Sequence, residues 1–122
     1  MKAPLLVLWT TVLLAFGACN LAAQTEPKTV IHVVTVSWKP EATPAQIKAA
    51  LDGVKTLPKA HKGITRVWTK SIKVQGGKAN AFVMEFVNEQ ALKDYADSPA
   101  QKEWYKVYLP IRQESTTFDI TN

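Results

Sequence analysis

Two polar side chains in apolar surroundings are the first candidates for chemistry. His32 lies inside the valine-rich stretch VIHVVTVSW, and Tyr95 follows an alanine and a leucine at helical spacing. Histidine exchanges a proton near neutral pH, and a tyrosine hydroxyl both donates and accepts hydrogen bonds. Both are therefore candidates for catalysis or for orienting a ligand. The structural alternative is that His32 hydrogen-bonds to backbone or a tyrosine at the core edge, while Tyr95 packs with its hydroxyl at the rim.

The sequence contains no motif for a metal site, a phosphate-binding loop or a catalytic nucleophile. The only histidines, His32 and His61, are far apart, and Cys19 is the only cysteine, so we expect no metal site and no intrachain disulfide. The Gly76-Gly77 pair fits a hairpin turn rather than a phosphate loop. No serine or cysteine lies in a nucleophile motif, and we expect no cofactor.

Four stretches carry the β-branched and aromatic residues that are typical of strands. These predicted strands are residues 30–38, 64–74, 79–87 and 116–121. Because side chains alternate along a strand, His32 should lie on the face of the first strand that points toward the helices. The same alternation places Ile64, Arg66 and Trp68 together on one face of the second strand.

Helix start signals lie between these strands. Thr43-Pro44 combines a capping hydroxyl with proline at the first helical position, and the helix that begins there should end at Pro58. Asn88 is placed to cap a short helix that carries the tyrosine. Ser98-Pro99 should begin another helical segment that runs to about residue 113, although Pro110 should kink or end it.

The order strand, helix, strand, strand, helix, strand predicts a ferredoxin-like α+β fold. We expect a four-stranded antiparallel sheet with the helices on one face. The opposite face would then carry exposed apolar side chains, namely Ile31, Val33, Ala81 and Val83. Since such a face is unfavourable in water, we expect two sheets to stack face to face in a homodimer.

The first 23 residues predict a secretory signal peptide. Lys2 is followed by an apolar run over residues 5–16 and then by small residues, which is the order of a signal peptide. We expect residues 24–29 to be a linker and residues 30–122 to form one domain. We expect a periplasmic or secreted protein, and the alternative is a lipoprotein anchored through Cys19.

The net charge of +5 comes from scattered lysines. Nucleic-acid binding usually requires a concentrated basic face. We therefore expect no nucleic-acid partner, and contact with a membrane only if Cys19 is lipidated.

Large side chains are numerous for so small a sheet. Most of them should belong to the core, yet together they can leave a cleft between sheet and helices, where small apolar ligands bind. The set consists of Trp38, Trp68, Phe82, Met84, Phe86, Trp104 and Tyr108.

Four short motifs, in this order, resemble the stress-response A/B barrel domain family. They are Ile31-His32-Val33-Val34, Ala91-Leu92-Lys93-Asp94-Tyr95, Ser98-Pro99-Ala100-Gln101 and Phe118-Asp119. The resemblance implies a ferredoxin-like monomer that pairs as a dimeric α+β barrel. Most members have no assigned reaction and are linked with stress responses, whereas a minority resemble polyketide cyclases that use a tyrosine and a histidine.

The resemblance also assigns positions to the cyclase-type residues. The tyrosine corresponds to Tyr95, a first-strand pocket histidine corresponds to His32, and Gln101 stands where the catalytic histidine would be. Glutamine cannot take up a proton near neutral pH. This departure removes the general base and argues against cyclase chemistry.

We therefore expect an exported barrel-domain protein that binds a small, largely apolar molecule in the cleft, without established catalysis. The predicted ligand-binding residues are His32, Val34, Phe82, Met84, Tyr95, Gln101 and Trp104. One alternative is a cofactor-independent cyclase- or monooxygenase-like enzyme in which His32 and Tyr95 are catalytic. The other is a purely structural, stress-protective dimer with a filled cleft.

Overall fold

The computed structural model describes residues 28–122 of the chain. The elements in this range are β1 (Val30–Trp38), α1 (Pro44–Ala60), β2 (Ile64–Trp68), β3 (Asn80–Phe86), α2 (Glu89–Tyr95), α3 (Pro99–Tyr108) and β4 (Arg112–Ile120). The predicted signal peptide with Cys19, and most of the predicted linker, lie outside the described residues.

The four strands form one antiparallel sheet in the order β2-β3-β1-β4. Alternate side chains of β1 and β3 join α1, α2 and α3 in one buried core, which places the helices on a single face. The predicted ferredoxin-like fold is confirmed, with its second helical region divided into α2 and α3. We call the helix-covered side of the sheet the inner face and the opposite side the outer face.

The helix starts follow the predicted caps. The Thr43 side chain accepts from the backbone N–H of Gln46 at the start of α1, and Asn88 and Ser98 cap α2 and α3. The prediction that Pro58 ends α1 is wrong, because the helix continues to residue 60. Its last turn is held by the buried Leu57, whose carbonyl accepts from a backbone N–H at 2.8 Å.

A β-bulge changes the prediction for the second strand. Ile64 pairs with Phe86, but the next pair joins Arg66 to Glu85, so β2 holds one extra residue. Ile64 is therefore buried in the core while Arg66 and Trp68 lie on the outer face, and their predicted common face is wrong. The strand also ends at residue 68 rather than 74, although the predicted glycine turn exists, with φ of 67° and 70° at residues 76 and 77.

The junction between α3 and β4 also differs from the prediction. The helix ends at Tyr108, before Pro110, and β4 begins at Arg112 rather than at residue 116. The strand starts early because it pairs with β1 from Ile31 to Trp38, including a Trp38–Arg112 pair beyond a second bulge. This early start brings polar β4 side chains onto the inner face beside the helices.

The outer face carries an apolar row that crosses all four strands. Trp68 is opposite Val83, Val83 is opposite Val33, and Val33 is opposite Phe118. Trp68 is 45% exposed and Phe118 is 53% exposed. The predicted apolar outer face is present in the monomer. No helix within residues 28–122 is long and apolar enough to cross a membrane.

Candidate functional site

A cleft of about 100 Å³ lies between the inner face of the sheet and helices α2 and α3. All seven predicted ligand-binding residues line it: His32, Val34, Phe82, Met84, Tyr95, Gln101 and Trp104. Five further lining residues had not been assigned to the site: Tyr105, Tyr108, Arg112, Ser115 and Thr117. The structure thus brings the predicted set together, and their binding role stays a prediction.

His32 lies on the inner face of β1 and contacts a carboxylate on the neighbouring strand β4. Its Nδ1 is 2.5 Å from Oδ1 of Asp119, its partner in the strand register. The partner is a carboxylate, not the backbone or tyrosine group of the structural interpretation. A carboxylate orients an imidazole by accepting its N–H, and in the neutral ring the other nitrogen is then an acceptor. His32 therefore provides the cleft with Nε2 as a potential base.

Tyr95 is held at the end of α2 by other rings. Its ring centroid lies 5.4 Å from that of Phe86 and 5.6 Å from that of His61, and only 3% of the residue is exposed. Its hydroxyl is buried with no hydrogen-bond partner among residues 28–122, so the expected position at the rim is wrong. Burial raises the pKa of Tyr95, and the neighbouring Tyr105 contributes to that rise. The hydroxyl is therefore a protonated donor without an acceptor, which costs about 1–3 kcal/mol.

Tyr108 provides a second buried hydroxyl from the last turn of α3. Its ring stacks on Trp104, with centroids 4.4 Å apart and an angle of 11° between the planes. Its hydroxyl is buried as well, and the side chains of Ser115 and Arg112 lie close enough to interact with it. Burial raises the pKa of Tyr108, and the nearby Ser115 and Arg112 oppose that rise.

Gln101 is oriented by the turn that precedes α3. Its Oε1 accepts from the backbone N–H of Asp97 at 2.7 Å, and Asp97 holds a left-handed φ of 61°. Because a backbone N–H can only donate, the amide oxygen faces Asp97 and Nε2 remains available as a donor. Gln101 therefore adds a neutral donor to the cleft where a histidine would have added a base.

The apolar wall of the cleft depends on the position of Trp104. Its indole N–H donates to the carbonyl of Ala50 on α1 at 2.9 Å, and its ring meets Phe82 edge to face at 5.6 Å. A Cβ on Gly53 would lie 2.6 Å from Cδ1 of Trp104. The close approach of α1 and α3 at this point therefore requires glycine.

The lining residues contributed by β4 were missed because their segment lacks an apolar pattern. Residues 112–117 read RQESTT, and the extended helix prediction covered the first two of them. One signal was available, because Pro110 ends a helix within a few residues. Alternation backward from Phe118 would then have placed Thr117 and Ser115 opposite to it, on the inner face.

The family follows from the match between the whole domain and a known family model. The model described as "Stress responsive A/B Barrel Domain" matches residues 30–122. The chain belongs to this family. The predicted resemblance is thereby confirmed, and no curated protein matches the chain in sequence.

Solved structures of low sequence identity share the fold of this A/B barrel domain. A hydroxynitrile lyase from Passiflora edulis aligns with a TM-score of 0.70 and 16% identity, covering 79% of this chain and 94% of its own. A Dabb family protein with a ferredoxin-like fold from Mesorhizobium loti aligns at 0.65 and 21% identity, covering 77% and 96%. A dimeric protein of unknown function from Bacteroides fragilis aligns at 0.64 and 16% identity, covering 80% and 100%.

Proposed function

We propose that this A/B barrel domain protein binds a small molecule in the cleft between sheet and helices. The observation that carries the proposal is the buried hydroxyl of Tyr95, which has no hydrogen-bond partner within the described residues. Buried polar groups are nearly always hydrogen-bonded. An acceptor from outside the chain would satisfy this hydroxyl and recover part of its desolvation cost.

The rest of the cleft supports a ligand with an apolar body and a polar end. Val34, Phe82 and Met84 form an apolar floor, each at least 95% buried. Gln101 Nε2 adds a donor to the same cleft. This arrangement is typical of small-molecule sites, which combine apolar walls with a few placed polar groups. A purely structural dimer would be expected to have a filled cleft, so the cavity favours binding.

We also propose that the protein acts as an exported homodimer. The apolar row of Trp68, Val83, Val33 and Phe118 supports pairing through the outer face, because a face of this kind is usually covered. The Bacteroides fragilis protein of similar fold is described as dimeric. Export rests on the predicted signal peptide, with periplasmic or secreted protein as the expected product and a lipoprotein as the alternative.

Native mass spectrometry of the protein recovered from the producing cell tests these proposals together. We expect a dimer that begins near Gln24 and retains a small adduct. A monomer would contradict the dimer, and an acylated N-terminus at Cys19 would replace the soluble form by the lipoprotein. A protein without adduct that also fails to bind any member of a small-molecule library would contradict the binding proposal.

A cleft-filling variant assigns any adduct to the site. Thr117→Trp adds an indole from an exposed position of β4 that lines the cleft, so we expect the adduct to be lost while the fold persists. Gln113→Trp, on an exposed position of the same strand outside the cleft lining, is the matched control and should retain the adduct. An adduct that survives Thr117→Trp would lie elsewhere on the protein.

A second candidate function is cofactor-independent proton transfer in the same cleft. The specific observation in its favour is the His32–Asp119 pair, which leaves Nε2 of His32 as a potential base in a cleft that also holds tyrosine donors. Such a base could remove a proton next to a carbonyl, while Tyr95 and Gln101 donate to the developing oxyanion. Gln101 itself cannot accept the proton, so the reaction depends on His32 alone.

Deuterium exchange at carbons next to carbonyl groups tests this second candidate without a known substrate. We expect the wild type to accelerate exchange in small ketones, followed by NMR, and His32→Ala to abolish the acceleration. Tyr95→Phe should weaken it, with thermal stability nearly unchanged or higher. Exchange no faster than in buffer would leave binding as the function, and a stability loss of several kcal/mol in His32→Ala would point to a structural histidine.

A further inference from the structure

Arg112 is a half-buried cation at the cleft that no acidic side chain neutralises. It lines the cavity from the first position of β4. Within the described residues, neither an aspartate nor a glutamate forms an ion pair with it, whereas Arg66 on the outer face is paired with Glu85. The carboxylate of Asp119 is engaged by His32. Arg112 is therefore the uncompensated charge of the site.

The position of Arg112 leaves its donors available. Its guanidinium carbon lies 5.5 Å from the ring centroid of Tyr108. A guanidinium that covers an aromatic face keeps the N–H groups along its edge, and these match the two oxygens of a carboxylate. The contact with Tyr108 thus holds the group in place, and its interaction with the Tyr108 hydroxyl engages only part of its five N–H donors.

Further donors line the same cleft as Arg112. The Tyr95 hydroxyl is buried without a partner among residues 28–122, the Tyr108 hydroxyl lies beside Arg112, and Gln101 has its amide oxygen occupied by Asp97. On this side the cleft offers donors with a positive charge beside them. An anionic oxygen pair satisfies such a group better than a neutral carbonyl, since charge-assisted hydrogen bonds are about twice as strong.

We propose that the cleft selects a short-chain carboxylate whose carboxylate group is bound by Arg112 and the tyrosine hydroxyls. This inference rests on the proposed ligand-binding function and names its ligand class. The volume of about 100 Å³ is smaller than the cavity of about 150 Å³ that holds benzene in another protein. An aliphatic chain of a few carbons therefore fits against Val34, Phe82 and Met84.

Matched pairs of probes separate charge from shape. Propionate, butyrate and crotonate, and separately their amides, are titrated into the processed protein purified from the producing cell. NMR follows the binding of each compound. We expect each carboxylate to bind about tenfold or more tightly than its amide, because a hydrogen bond to a charged group contributes more than a neutral one. Arg112→Gln should remove this preference and leave amide binding within about twofold.

Two further variants keep the outcome interpretable. Lys102→Gln removes one positive charge from an exposed position of α3 outside the cleft and should leave both affinities unchanged. Arg112→Lys keeps the charge but loses the two-pronged geometry, so it should retain an intermediate preference. If Arg112→Gln fails to fold, Arg112→Lys still reports on the geometry.

The results separate this proposal from the general one. Equal binding of carboxylate and amide at cleft residues would overturn the ligand class and leave small-molecule binding intact. A carboxylate preference that persists in Arg112→Gln would overturn the role of Arg112. If no probe binds and the wild type does not differ from Thr117→Trp, the proposal of a short-chain carboxylate is overturned. If no member of a wider library binds either, the proposal of small-molecule binding is overturned as well.

Discussion

The two faces of the sheet use the same strands in opposite ways. On the inner face, Phe82 of β3 is 1% exposed beneath the helices, whereas Val83, the next residue, belongs to the apolar row of the outer face. The inner face is closed by this chain alone except at the cleft. The outer face presents Phe118, which is 53% exposed, with nothing from residues 28–122 to cover it.

The polar groups of the two faces differ in the same way. On the outer face, the carboxylate of Glu85 is neutralised within the chain by Arg66. On the inner face, Arg112 has no acidic partner and the hydroxyl of Tyr95 has no hydrogen-bond partner among the described residues. The buried carboxylate of the outer face is thus neutralised within the chain, but the apolar side chains of that face are exposed. The cleft has buried apolar walls, but its donor groups lack acceptors. A second copy of the protein would cover the outer face, and a ligand would supply acceptors to the cleft.

The largest expected effect comes from replacing Phe82, the buried phenylalanine of the inner face. Phe82→Ala should lower the free energy of unfolding by about 3–5 kcal/mol, because it removes a buried ring and leaves a cavity. Urea unfolding at several protein concentrations measures the change, which should appear at all of them. A loss below about 1 kcal/mol would mean that the core collapses around the deleted ring or that the inner face is not packed as described.

The matching change on the outer face should act through the dimer. Phe118→Ala should weaken dimerisation by about 1–3 kcal/mol, because each copy loses apolar area that pairing would bury. Sedimentation at a series of concentrations measures the dissociation constant, and the monomer should keep nearly wild-type stability. If Phe118→Ala leaves the dimer constant unchanged while Val107→Ala on the exposed side of α3 weakens it, the subunits pair through the helices instead.

The difference between the faces was largely predictable from alternation, but the cleft was predictable only in part. Period-two alternation in β1 and β3 placed His32 and Phe82 on the inner face correctly. It failed at β2, because a bulge after Ile64 inverts the faces of the residues that follow, and no local signal marks it. Arg112 escaped prediction because its strand is polar and is formed by pairing with β1 rather than by its own propensity.

The hydrogen-bond partners within the cleft could not have been predicted from the sequence. His32 and Asp119 are 87 positions apart and meet only through the register of β1 with β4. The burial of the Tyr95 hydroxyl likewise depends on how α2 packs over Phe86. The sequence therefore identified seven of the twelve residues that line the cleft, whereas the donors and acceptors that define its ligand required the structure.

Removing an unpaired hydroxyl from the cleft should stabilise the free protein. Tyr95→Phe deletes a buried donor without a partner within the described residues, so the free energy of unfolding should rise by about 1 kcal/mol. The same variant should bind the ligand more weakly, giving opposite signs in the two measurements. Thermal unfolding with and without butyrate makes the comparison, and Tyr105→Phe, whose ring also lines the cleft but is only half-buried, is the control. A stability loss in Tyr95→Phe would show that its hydroxyl is already bonded.

The smallest expected effect is the pH dependence contributed by the paired carboxylate of the outer face. The hydrogen bond from Arg66 lowers the pKa of Glu85 below its ordinary value of 4.5, against the opposing effect of burial. A carboxyl group whose pKa is lower in the folded state stabilises the fold above the unfolded pKa, and this contribution is lost as the pH falls through the folded value. Glu85→Gln should therefore be less stable than the wild type at pH 7, and the difference should shrink as the pH falls through the lowered pKa of Glu85 and its carboxyl becomes protonated. Urea unfolding from pH 7 to pH 3 measures the difference, with Glu103→Gln as the exposed control. A difference that does not change with pH would mean that Glu85 acts through packing rather than through its charge.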